Sequence, residues 1–189
     1  AERQRVIKPE FFAETGRIPT SRNTMTYLRY AEALNRAGYP QSAFLILKHG
    51  MCYDNLVVYV DSVERVAAAE LVDFDANIFP KDHTFGIHSR GSGDSHINEY
   101  YTLPMPTDSL ATRQDTIDYQ IPLVEDMIID EMALEGAFEG YRYYDLMRVA
   151  LRRNDASYLA APISRRNGEE DAALRAKLED TSNWYLPLP

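Results

Sequence analysis

A single cysteine, Cys52, is all the thiol chemistry these 189 residues contain, so no intrachain disulfide can form. A chain of this length buries roughly 70% of its unfolded surface and folds without disulfides or metal. Positive charge is scarce too. Twenty lysines and arginines face 29 aspartates and glutamates, giving a net charge of −9 and a pI near 4.9. That balance lacks the basic footprint of a nucleic-acid-binding surface, and an anionic membrane would repel it. No apolar run is long enough to span a bilayer, and no signal peptide or lipid-attachment cysteine stands near Ala1. Four histidines occur, none at a recognised ligand spacing such as His-Glu-x-x-His, so no cofactor or metal is expected.

What is present is helical patterning, densest over residues 122–154. Ile128, Met132, Ala133, Ala137, Tyr141, Tyr144, Met147 and Leu151 recur three or four apart and predict one apolar stripe. Glu131, Glu135 and Glu139 lie four apart, and like charges in such a row repel. Arg142 follows Glu139 by three and Arg148 follows Asp145 by three, which predicts local ion pairs and a scaffolding role for all six side chains. Gly136 and Gly140 each weaken a helix by roughly 1 kcal/mol relative to alanine, and a break between two helices is expected at Gly140.

Residues 1–23 are polar and interrupted by Pro9, Gly16 and Pro19. Thr24 or Thr26 is placed to cap a helix running to Ala37, with Gly38, Tyr39 and Pro40 turning into a second helix over 41–48. This pair has the form of one tetratricopeptide-type hairpin, which cannot bury its own faces and needs stacked neighbours. A strand is expected over 55–60 and a helix over 62–71, followed by a long irregular loop over 79–106. Residues 108–120 look like a polar lead-in to the helices after Pro122. Beyond Asn154 the pattern predicts a short turn at 156–161, a polar loop at 165–170 and a helix at 171–177. An extended, docked NWYLPLP ends the chain.

Among candidate sites, the run GIHSRGSGDSHINEYY (86–101) is the most suggestive chemically. Gly86 and Gly91 have phosphate-loop spacing, but Ser92 stands where the lysine belongs. Ser92 also lacks the glycine two residues earlier that a nucleophile elbow requires. His83, His88, Asp94 and His96 have no metal-site spacing; a tight loop held by Arg90 and Asp94 explains the run better. Most of the 13 tyrosines, Tyr141 and Tyr144 included, are expected in the core. Tyr100, Tyr101 and Tyr119 fall off any stripe and are the candidates for a ligand-facing role, since flat rings offer sugars a stacking surface.

The stretch DEMALEGAFEGYRYYDLMR resembles the signature of the SusD/RagB family of surface nutrient-binding lipoproteins. Asp130, Glu131, Glu135, Phe138, Glu139, Gly140, Arg142, Asp145, Leu146 and Arg148 match it, whereas Met132, Gly136, Tyr141 and Tyr143 depart from it. LRYAEALNRAG (28–38) and the terminal NWYLPLP (183–189) fit as well. The resemblance implies a mainly α-helical, SusD-like single domain over 1–189 with a large irregular segment, the C-terminal portion of a longer, lipid-anchored outer-membrane protein. It implies non-catalytic capture of a nutrient, most often an oligosaccharide, and hand-over to a SusC-type TonB-dependent transporter. A peptide-binding, RagB-like protein and a glycan-cleaving enzyme are the alternatives.

Overall fold

The computed structural model describes residues 23–51, 60–73, 87, 101–108 and 112–185. Those residues form helices and connecting turns, with no strand among them. The helices are α1 (Asn23–Arg36), α2 (Pro40–His49), α3 (Ser62–Ala67), α4 (Arg113–Glu135), α5 (Arg142–Arg153), α6 (Ser157–Ser164) and α7 (Ala172–Glu179), then a 3-10 turn, Thr181–Trp184. The strand expected over 55–60 falls almost wholly outside the described residues, as do Tyr100 and nearly all of the glycine-rich run.

Helices α1 and α2 make the expected hairpin. Gly38 takes a left-handed φ of +92°, a backbone that glycine adopts without strain, and Pro40 then opens α2 where its missing N–H costs nothing. Leu28, Ala31 and Leu34 bury one face of α1, and α2 is buried from Pro40 to Leu47. Helix α1 is already under way at Asn23, so Thr24 and Thr26 lie inside it rather than capping it. The neighbour that the hairpin needs is α4, which packs along both helices with Val124, Ile128, Ile129 and Met132.

Helix α4 begins at Arg113, not after Pro122. Thr112 and Asp115 form a reciprocal capping box, the Asp115 N–H bonding to Thr112 Oγ1 at 3.2 Å and the Thr112 N–H to Asp115 Oδ2 at 2.9 Å. From Arg113 onward the polar stretch therefore forms the first turns of a helix, with Ile117 and Gln120 buried. Pro122 remains inside it, although it removes one ladder bond. Asn35 Nδ2 donates to the Ile121 carbonyl at 2.8 Å and Arg153 Nη2 to the Pro122 carbonyl at 3.1 Å, so neighbours grip the helix where its own ladder is interrupted.

The break spans the turn 136–140 rather than one residue. A Cβ on Gly136 would lie 2.8 Å from the Met132 carbonyl, and Gly140 has φ +83°. The turn rephases the chain. Tyr144 and Leu151, expected on the apolar stripe, are exposed on α5, and Asp145, Leu146, Val149 and Ala150 face inward instead. A helical period carries no information across a residue with non-helical angles.

Helix α3 ends at Ala67, with a turn rather than a helix continuing to Leu71. Its Asp61 caps it by accepting from Val63 and Glu64 N–H, both at 2.9 Å. Helix α6 is longer than the expected turn, and Asp171 is the cap of α7. Trp184 does dock: it is buried, and its Nε1 donates to the Leu178 carbonyl at 2.6 Å. Its neighbours correct the rest of that expectation, because Asn183 and Trp184 belong to the 3-10 turn and Tyr185 is exposed.

Candidate functional site

Three carboxylates are sunk between α1, α4 and α5: Glu32, Glu125 and Asp145, whose side chains are only 4%, 1% and 2% exposed. An ionised carboxylate removed from water must find charge-assisted donors. Five arginines supply them. Arg29 reaches Asp145 at 2.5 Å and Glu32 at 3.6 Å. Arg148 holds Asp145 at 3.1 Å and also bonds to Glu32. Arg36 bridges Glu32 and Glu125, the latter at 3.0 Å, while Arg152 and Arg153 close on Glu125, Arg153 at 2.7 Å. Arg153 also contacts Asp126 at 2.7 Å and lies 4.7 Å from the centre of the Tyr158 ring, whose hydroxyl donates to Asp126 at 2.9 Å.

The electrostatics follow from this geometry. Burial alone would raise the Glu125 carboxyl, but the hydrogen bonds from Arg153 and Arg36 and the charges of Arg152 and Arg153 prevail and lower it. Burial opposes the charge on Arg148, yet its bonds to Glu32 and Asp145 hold the guanidinium protonated beyond its ordinary range. Each of the three carboxylates is held by at least two arginines. The arrangement clasps three helices together.

Of the predicted pairs, Arg148 with Asp145 forms as spaced. Arg142 instead donates to Asp130 at 3.0 Å and to the Ile129 carbonyl at 2.8 Å. Glu131 and Glu135 lie on α4, but Glu139 lies beyond its end, so the three do not line one helix. Glu131 is buried and accepts from the Tyr101 hydroxyl at 2.5 Å. The Tyr101 carbonyl takes Lys48 Nζ at 2.9 Å, so this residue ties α2 to α4. Burial, with Glu131 beside it, pushes the Tyr101 hydroxyl pKa well up. Tyr119 lies on the outer face of α4, 43% exposed, remote in role from the clasp.

Sequence spacing missed Glu32, Glu125, Arg29, Arg36, Arg152 and Arg153. A signal was present for some of them: Arg29, Glu32 and Arg36 sit three and four apart in LRYAEALNRAG. Their partners Asp145 and Arg148 lie more than 100 residues on, in the other stretch that carries the family resemblance. Those two stretches meet in space and hold each other.

The SusD family model matches residues 13–189, almost the whole chain. The chain belongs to the SusD family. No curated protein and no solved structure matches it. The SusD family assignment agrees with an all-helical set of described residues. It makes the chain a nutrient-binding protein of the Sus/Rag type, from a family whose members are generally non-catalytic. No described helix of this SusD-family chain is long and apolar enough to cross a membrane, and no described trio of His, Cys, Asp or Glu side chains is grouped to hold a metal ion.

Proposed function

We propose that this chain captures an oligosaccharide at the outer surface of the outer membrane, without catalysis, and passes it to a SusC-type TonB-dependent transporter. The family match over 13–189 carries this reading. The clasp supports it, because the acidic side chains that fall together in space are consumed by arginines rather than poised as an acid and base pair. Capture then rests on shape, stacking and hydroxyl hydrogen bonds. Tyr100, Tyr101 and Tyr119 remain the nominated contacts, with Tyr119 offering the most open ring of the two described.

Calorimetry against a panel of oligosaccharides and peptides tests the substrate class. Saturable heat with a glycan and none with peptides is the expected result, and the reverse makes the chain RagB-like. Prolonged incubation with the bound glycan, followed by chromatography, is expected to return it intact. Fragments that vanish on replacing one Asp or Glu would overturn the non-catalytic reading.

A further inference from the structure

Residues 101–108 run along α4 without helical structure and are pinned to it at two points. The Tyr101 hydroxyl donates to Glu131, and further on Gln120 Nε2 donates to the Pro104 carbonyl at 2.9 Å. The same Gln120 nitrogen lies 3.3 Å from Met105 Sδ. A side-chain amide nitrogen carries two N–H donors, so one serves the carbonyl and the other the thioether, a weak acceptor. Gln120 is fully buried, whereas Met105 is 60% exposed between Pro104 and Pro106. The other methionines are placed differently. Met25, Met51 and Met132 are buried, and Met127 and Met147 are half-buried. Met132 also receives an N–H, from Arg148 at 3.7 Å, but it is sealed in the core. Among the six, Met105 combines a fixed donor on its sulfur with open access from water.

We infer that Met105 is an oxidative modification site, where a peroxide adds one oxygen atom to the side of the sulfur turned away from Gln120 and yields a single sulfoxide epimer. A thioether sulfur carries two lone pairs, and its oxidation makes the sulfur a stereocentre. The Gln120 N–H occupies one lone pair from the protein side. The other attacks the outer oxygen of the peroxide. The S–O bond forms as the O–O bond breaks, so sulfur is oxidised by two electrons and the peroxide is reduced. The proton on the transferred oxygen passes to the leaving oxygen, which departs as water when the oxidant is hydrogen peroxide. The fixed donor makes the two lone pairs unequal, and the fold thereby sets the hand of the product. The new oxygen lies on the surface, where water solvates it. Gln120 keeps its bond to the Pro104 carbonyl, so the run stays on α4. Oxidation of Met25, Met51 or Met132 would instead put a polar group into the core.

The test treats the full, folded chain with hydrogen peroxide and follows its digested peptides over time by mass spectrometry. Met105 is expected to oxidise about tenfold faster than Met25, Met51 and Met132, since susceptibility follows exposure. The Met105 sulfoxide peptide should be reduced by one of the two methionine sulfoxide reductases, each of which takes one epimer, and left untouched by the other. The chain oxidised in urea should give both epimers, with all its methionines reacting at similar rates. Gln120→Leu, if it folds, should also give both epimers at Met105. The singly oxidised parent should melt at the Tm of the untreated chain. Equal rates at Met105 and the three buried methionines of the folded parent overturn the assignment. Equal amounts of the two epimers at Met105 overturn it as well, and that comparison needs no variant.

Discussion

Two groups of arginine–carboxylate pairs in this molecule use the same chemistry and differ in how much water reaches their carboxylates. In the clasp, Glu32, Glu125 and Asp145 are almost fully buried. In the α6–α7 hairpin, Arg165 and Arg175 meet Glu170 at 2.7 and 3.0 Å, and Arg175 meets Glu179 at 3.0 Å. There, however, the Glu170 and Glu179 side chains are 34% and 48% exposed. Water screens the hairpin pairs and stands ready to replace either partner, so each contributes little. The clasp has no such substitute. Removing an arginine leaves a buried carboxylate short of donors, whereas the arginines themselves are 21–41% exposed and keep partial access to water.

The largest effect expected is from Glu125→Ala. It strips the shared acceptor from Arg36, Arg152 and Arg153 and opens a gap between α4 and α5. Urea unfolding should show a loss of about 2–3 kcal/mol, the upper range for hydrogen bonds to charged groups, because the arginines left behind keep partial access to water. A loss under about 1 kcal/mol would put the clasp on a level with the hairpin. Tyr101→Phe comes next. It leaves Glu131 buried without its phenol donor, and the same measurement should show a loss of about 1–2 kcal/mol.

Acid separates the buried carboxylates further. Glu125 is lowered in the folded state, so its contribution is present above its unfolded value near 4.5 and is lost as pH falls through the folded one. Glu64 goes the other way. It lies on α3, fully buried against the start of α2, and accepts from Ser42 N–H at 2.7 Å and Gln41 N–H at 3.4 Å. Burial raises its pKa against those bonds, so its contribution is present below 4.5 and declines as pH rises. Stability measured between pH 3 and 7 should therefore flatten at the acid end in Glu125→Gln and rise at the neutral end in Glu64→Gln. Matching profiles for the two variants would contradict the assigned directions. The smallest effect is expected from Glu170→Ala, whose Tm should equal that of the parent at both 50 mM and 1 M salt. A clear drop confined to low salt would show that the hairpin pairs matter more than their exposure allows.

Local pattern located the elements wherever the deciding residues were neighbours. Gly38 and Pro40 marked the hairpin turn, the period of Tyr27, Tyr30, Ala31 and Leu34 marked α1, and Asp145 with Arg148 gave a pair that forms as spaced. It failed at Arg113, because a polar first turn looks like a loop until the capping box of Thr112 and Asp115 is recognised. It failed again past Gly136, where the apolar stripe was carried through a turn that resets the helical phase and left Tyr144 and Leu151 on the wrong face. Phe138, the turn's exposed ring, was visible only as a signature residue.

The amino-acid order by itself determined an acidic, helical chain of the SusD family, since family and periodicity are properties of residues near one another along the chain. Only the tertiary structure decided which charges meet between helices. Arg29 meets Asp145 and Arg36 meets Glu125 because packing α1, α4 and α5 around one apolar core brings them together and removes water from between them, and no spacing along the chain encodes that exclusion.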